Sequence, residues 1–295
     1  MKERKVFLIY NAAAGKRKVS QELEPIITAL TQKGCVVTAY PVLPEKPCEE
    51  ILDKAYFLYD AVVCCGGDGT LHHTVDMMLH LPSNLPIGYL PFGSTNDFAA
   101  SLGLKQSIEK NCETIAKFEP RPLDIGGFNE QSFCYVAAFG MFTDVSYETP
   151  QAAKNLWGHF AYIIEGMRRL NLSQGWKAVV HVDDRVLEGE FWYGSVSNAT
   201  YIGGMAVPEQ NSVQMDDGLF EVMLIRKPQT LIELHRLAAS LLNQKSDNDL
   251  LYLYKARKIH FAFEQATAWT LDGEAGPEVK EATISVQEKR LQFLL

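Results

Sequence analysis

Asp68 stands inside Gly66-Gly67-Asp68-Gly69-Thr70, directly after the β-branched apolar run of residues 61–65. Glycines at such a turn accept positive φ and let a ligand reach bare backbone. The amides of the helical turn that follows have no partners inside the helix and face the same ligand. Phosphate suits a concavity of this kind; the carboxylate beside it then orients the loop or works through a metal ion. The competing account is an ordinary strand-to-helix turn with Thr70 as N-cap. Five such residues in a row after a buried-strand pattern favour phosphate.

The second half of the chain holds the acid–base candidates. Asp272-Gly273-Glu274 follows the apolar residues 269–271. A carboxylate on a tight turn at a strand end can accept a proton from a substrate hydroxyl. Asp-Gly is equally a common hairpin signal. Asp216-Asp217-Gly218-Leu219 is an acidic turn whose carboxylates and carbonyls suit a hard cation such as Mg²⁺, or simply a solvated loop. His72 and His73 do not make a metal pair, because adjacent residues on a helix point different ways.

These groups need a scaffold, and its pattern changes once along the chain. Up to about residue 120, apolar runs at 5–10, 36–40, 61–65 and 87–90 alternate with helical spacing. Leu23, Ile26, Ile27 and Leu30 mark one helix, and residues 70–80 another. This β-α-β-α order predicts a Rossmann-like α/β domain, a parallel sheet with helices on both faces. Ligands of such sheets sit beyond the carboxyl ends of the strands. Three unusual turns fall there: Asn11-Ala12-Ala13-Ala14-Gly15, Gly66–Thr70, and Pro91-Phe-Gly-Ser94-Thr-Asn-Asp97-Phe. After Pro120-Arg-Pro122 short strand patterns dominate, at 123–128, 133–138, 176–182, 191–197, 219–225, 258–263, 268–271 and 283–287. That half predicts an antiparallel β-sandwich, with helices near 154–170 and 229–243. The expected division is 1–122, with residues 289–295 able to return to it, and 123–288.

At 295 residues the chain exceeds one small core, which agrees with two domains. A formal net charge of −8 argues against general nucleic-acid binding. Six cysteines at 35, 48, 64, 65, 112 and 134 follow no metal spacing and read as reduced thiols of a cytoplasmic protein. No stretch approaches the roughly 18 apolar residues of a spanning helix, so membrane contact is expected to be peripheral.

Taken together, the motifs resemble the soluble bacterial diacylglycerol kinases and YegS-like lipid kinases. The resemblance rests on Asn11 with Gly15, on Gly66–Thr70, on Pro91-Phe-Gly-Ser-Thr-Asn-Asp-Phe-Ala99, on Asp124, on Asp217-Gly218-Leu219-Phe220 and on Leu271-Asp-Gly-Glu274. Gly-Gly-Asp-Gly-Thr alone also occurs in NAD kinases and phosphofructokinases, whose parallel sheet the first domain would share. The Ser-Thr-Asn-Asp-Phe-Ala segment is more specific to the lipid kinases.

The resemblance implies an ATP- and Mg²⁺-dependent kinase of a lipid hydroxyl, with diacylglycerol the leading substrate. It places nucleotide at Asn11, Ala12, Ala13, Ala14, Gly15, Gly66, Gly67, Asp68, Gly69, Thr70 and Ser94. Glu274 would accept the hydroxyl proton, with Asp68, Asp97, Asp124 and Asp272 around the catalytic Mg²⁺. A structural Mg²⁺ would use Asp217, the Leu219 carbonyl and the backbone near Gln214. The implied partners are a lipid at the membrane surface and no nucleic acid, with a homodimer left open. Residues 155–170, aromatic and closing on Arg168 and Arg169, suit an interfacial helix or the cover of a β-sandwich. This chain departs from the family pattern at His72-His73, where Asn-Glu is common, and at Ala12–Ala14, which replace Pro and Ser. Two alternatives stay open: a catalytically weak relative that binds nucleotide or lipid, and a kinase of a soluble substrate akin to NAD kinase.

Overall fold

The computed structural model describes residues 3–43, 48–104, 107–141, 175–202, 205–207, 213–242 and 249–295. The expected helix near 154–170 lies outside them. The chain divides into two compact units, residues 1–123 with 289–295, and residues 124–288.

The first unit is an α/β layer. Its strands are β1 (Arg4–Tyr10), β2 (Cys35–Pro41), β3 (Ala61–Gly66) and β4 (Ile87–Pro91), joined by α1 (Ala14–Gln32), α2 (Glu49–Ala55) and α3 (Asp68–His80). Two further helices, α4 (Asp97–Ser101) and α5 (Ile108–Lys117), complete it. All four strands run parallel in the order β2-β1-β3-β4. The end of the chain adds a fifth parallel strand, with Phe293 beside Ile87 and Leu294 beside Gly88. β3 is buried at all six positions, as expected for a parallel strand covered on both sides. On one face Val6, Leu8, Val63 and Cys65 pack with Val19, Ile26 and Leu30 of α1 and with Cys112 and Ile115 of α5. This parallel arrangement sends the ends of β1, β3 and β4 to one edge of the sheet.

The second unit is β-rich. In chain order it comprises β5 (Pro120–Phe128, entering from the first unit), β6 (Gln131–Phe133), β7 (Val136–Gly140), β8 (Trp176–Val182), β9 (Arg185–Ser197), β10 (Tyr201–Ile202), β11 (Met205–Ala206) and β12 (Phe220–Arg226). Helix α6 (Leu231–Leu242) follows, then β13 (Leu251–Ala256), β14 (Lys258–Leu271) and β15 (Glu274–Leu294). The antiparallel order is β13-β12-β9, then β7 and β8 end to end between β9 and β14, then β15. One core holds Phe133, Phe139, Phe220, Phe261, Trp269 and Ile284. The Trp269 ring sits 4.9 Å from those of Phe128 and Phe139.

Four strand expectations change. The patterns at 258–263 and 268–271 belong to one strand, whose pairing shifts between Ala262 and Thr267. The exposed residues at this irregularity, Glu264 and Gln265, read as a loop because a bulge escapes the ladder. β15, at 21 residues, is about four times as long as its sequence pattern at 283–287, since Gly276 and Pro277 resemble turn residues yet stay extended. The run at 133–138 is two strands, interrupted at Cys134 and Tyr135 for a reason given below. β13 was not anticipated.

Candidate active site

In the first unit the three unusual turns meet. β1 runs into Asn11, whose Oδ1 accepts the Ala13 N–H at 3.0 Å, an Asx turn that leads into α1 at Ala14 and Gly15. The Asn11 side-chain amide donates to Thr70 Oγ1 at 3.3 Å, and its backbone N–H donates to the Cys65 carbonyl at 3.0 Å. β3 and β4 are clasped where they end, because the Phe92 N–H donates to the Gly66 carbonyl at 2.7 Å. Beyond that clasp, a Cβ on Gly93 would stand 2.8 Å from the Cα of Gly67. Two backbones this close admit glycine alone.

The helix that starts here has Gly67 as its N-cap, in extended conformation and without a side-chain cap. Thr70 is therefore not the capping residue; it holds Asn11 instead. The first turn of α3 thus has no side-chain cap and starts beside two glycines, and an uncapped helix start of this kind is able to receive a phosphate. Asp68 opens the same turn and accepts the Asn96 N–H at 2.9 Å. Asp97, 3 % exposed, opens α4, and Ser94 is exposed. Asn11, Gly66–Thr70, Ser94 and Asp97 thus share one edge of the sheet.

Asn96 carries more of this geometry than its place in the motif suggested. It adopts the left-handed conformation, φ 54 and ψ 48. Its Oδ1 accepts the Gly93 N–H at 2.7 Å and its Nδ2 donates to the Gly93 carbonyl at 2.9 Å. An asparagine is among the few residues that tolerate this conformation while bonding locally. The side chain closes the third turn while the backbone holds the carboxylate of the second.

In the second unit, the Asp272-Gly273 pair is a hairpin turn between β14 and β15, with both φ positive at 53° and 81°. Its carboxylate turns inward and accepts three backbone N–H groups: Cys134 at 2.7 Å, Tyr135 at 2.9 Å and Val136 at 3.1 Å. That is why the strand pattern at 133–138 is broken, since two of those N–H groups leave the ladder for a side chain. Glu274, the first residue of β15, is exposed beside this fixed turn.

Asp124 is 1 % exposed. Its Oδ2 accepts the Gly218 N–H at 2.7 Å, and its own N–H donates to the Met215 carbonyl at 2.9 Å. Asn198, fully buried, donates through Nδ2 to the Asp124 carbonyl at 3.0 Å and the Met215 carbonyl at 3.3 Å. Its backbone N–H donates to the Tyr135 carbonyl at 2.9 Å. Asp272, Asp124 and the acidic turn are therefore one hydrogen-bonded assembly with Asn198 at its centre. Nothing in the sequence flagged Asn198 beyond a polar residue ending an apolar strand.

Within the acidic turn, Asp217 Oδ1 accepts the Leu219 N–H at 3.0 Å. Its Oδ2 lies 3.7 Å from the Lys255 ammonium, which also reaches Glu221 at 3.4 Å. Asp217 offers a carboxylate that a hard cation such as Mg²⁺ could share, with carbonyl and water oxygens completing the set. Lys255 shares the carboxylate as a second counter-charge. Burial pushes the Glu221 carboxyl up to about 7, against the opposing pull of Lys255.

These turns belong to a two-unit fold, an α/β unit with glycine-rich strand-to-helix turns followed by a β-rich unit. Residues 5–128 match the model of the diacylglycerol kinase catalytic domain, and residues 137–294 that of the YegS C-terminal NAD kinase beta sandwich-like domain. The chain belongs to the YegS-like diacylglycerol kinase family. It is 28% identical over 272 residues to the diacylglycerol kinase of Bacillus subtilis, covering 91% of this chain and 89% of the relative. It is 29% identical to that of Staphylococcus saprophyticus, covering 91% and 88%. Among solved structures, a diacylglycerol kinase of Bacillus anthracis aligns with TM-score 0.76 at 20% identity, covering 100% of this chain and 97% of that one. A second structure from that organism reaches 0.81 at 22% identity, with the same coverage. No helix among the described residues is long and apolar enough to cross a membrane.

Proposed function

We propose that this protein transfers the γ-phosphate of ATP to the free hydroxyl of diacylglycerol, producing phosphatidic acid at a membrane surface it touches without spanning. The observation that carries the reading is the close approach of Gly67 and Gly93 at the uncapped start of α3. Phosphoryl transfer asks the protein for alignment and charge neutralisation more than for covalent chemistry. In this reading Asn11–Gly15, Gly66–Thr70 and Ser94 hold the nucleotide through backbone groups. Mg²⁺, when bound, neutralises charge on the transferred phosphoryl group. Asp68 and Asp97 would supply carboxylates for it, and a second Mg²⁺ would be held by residues of the turn at Gln214, Asp217 and Leu219. Glu274 takes the proton from the lipid hydroxyl. Asp272, occupied by three backbone N–H groups, acts as a positioning residue for the turn that precedes Glu274.

The test is a panel of dioleoylglycerol, other lipid alcohols and NAD, each offered with ATP and Mg²⁺. Dioleoylglycerol should be phosphorylated. Glu274→Gln should lower that rate roughly 10²- to 10⁴-fold, the usual worth of a general base, while leaving ATP affinity intact. Phosphorylation of NAD alone, or nucleotide binding with no turnover on any lipid, would sink the proposal.

A further inference from the structure

His181 and His260 stand side by side on the β-rich unit. Ala178, Val180 and Val182 of β8 and Ile259, Phe261 and Phe263 of β14 point into the aromatic core. Alternation along a strand sends His181 and His260 to the opposite face. Pairing sets them directly across from each other, and Thr283 of β15 follows His260 in the same row. His181 is exposed and His260 half-buried.

The two ring centroids are 6.1 Å apart, with the planes inclined by 51°. A histidine nitrogen binds Zn²⁺ at about 2.0–2.1 Å, which puts the ring centre roughly 3.2 Å from the ion. Two rings on one ion are therefore roughly 5 Å apart at a tetrahedral angle and roughly 6.4 Å apart when opposed. The observed spacing falls inside that range, so the pair can share an ion without moving either strand. His260 Nδ1 lies 3.0 Å from Thr283 Oγ1. When Nδ1 donates its proton to that hydroxyl, Nε2 keeps the free lone pair, and metal-binding histidines are generally held by such a partner on the other nitrogen.

The backbone beneath the pair is fixed. The Thr283 N–H donates to Asn129 Oδ1 at 2.8 Å, and its carbonyl accepts the Asn129 N–H at 2.9 Å. β8 is paired along both edges, to β9 and to β14. The row on one side ends in the exposed carboxylates Glu188 and Glu281, with Val179 and Ala262 between them. The row on the other side holds Lys258 with Asp183. These neighbours sum to net negative charge, which favours a cation. Among the described residues no third histidine, cysteine or carboxylate joins the pair at ligand distance, so water would complete the shell.

We propose that His181 and His260 bind one late first-row transition-metal ion, of the class of Zn²⁺, Ni²⁺ and Cu²⁺, with Thr283 as the positioning residue. Imidazole suits these ions, whereas Mg²⁺ takes oxygen ligands. The ion ties β8 to β14 across the outer face of the sheet. The site stands or falls independently of the lipid-kinase reading.

The experiment titrates the full-length protein with Zn²⁺ in excess Mg²⁺ by calorimetry, and with Cu²⁺ by electron paramagnetic resonance. Wild type should take up one ion saturably, Zn²⁺ should raise its melting temperature, and the copper signal should show splitting from two imidazole nitrogens. Thr283→Val should weaken Zn²⁺ about tenfold, the usual worth of a ligand's outer partner, and His181→Gln or His260→Gln at least about a hundredfold. Thr283→Ser, which keeps the hydroxyl, should bind as wild type does. His181 is exposed, so its replacement leaves the core intact. No saturable uptake by wild type would overturn the site, as would wild-type affinity in the double variant His181→Gln/His260→Gln, which would put the ion on other groups. Equal affinity in Thr283→Val and wild type would overturn the positioning role.

Discussion

Asp272 shows how much one buried carboxylate can organise. Its three acceptor contacts join the turn before Glu274 to a segment 136–138 residues earlier in the chain. Hydrogen bonds to a charged acceptor are stronger than neutral ones, and losing the acceptor strands buried N–H groups. Asp272→Ala should therefore cost about 3 kcal/mol or more, seen as a lowered midpoint in denaturant. A wild-type midpoint in that variant would show that the contacts carry no net stability. Asp-Gly was legible as a hairpin signal, and the hairpin is there. The aspartate's inward bonds were not legible, because its partners are backbone groups that no residue type announces. Asn96 and Asn198 were missed for the same reason.

At the scale of elements, three strand ends are held in register by few contacts, and Gly93 is the tightest. A methyl group there would stand 2.6 Å from Asn96 Oδ1 and 2.8 Å from the Gly67 Cα. The backbone must yield, and the second and third turns separate. Gly93→Ala should weaken ATP binding on the order of tenfold to a hundredfold, the cost of a displacement near 1 Å at a binding constellation. Its melting temperature should fall less than that of Asp272→Ala. Unchanged ATP affinity would mean that the Gly67–Gly93 approach is not part of the nucleotide site. The turns themselves could be located from sequence, since each follows an apolar run of strand length. The mixed elements could not. β14 looked like two strands because its irregularity is exposed, and β15 looked short because glycine and proline sit inside it.

At the scale of the whole molecule, the chain enters the β-rich unit near residue 124 and leaves it near residue 288. Its last residues then serve the α/β unit, where Phe293 is fully buried against Phe98, with ring centroids 5.5 Å apart. Phe293→Ala should destabilise the protein by about 3–5 kcal/mol, as expected for emptying an aromatic site in a core. Calorimetry would register this as an earlier unfolding transition. An unshifted transition would show that the terminal strand is dispensable.

Local pattern alone determined the alternation of strand and helix, the change of architecture near residue 120 and the positions of the phosphate-type turns. All of these are written in spacings of two to four residues. Tertiary structure decided the inward role of Asp272 and the junction at Asn198. Each arises from pairing between distant segments. A side chain's face follows from its neighbours in sequence, whereas what stands opposite it depends on register, and register is settled only when the sheet forms.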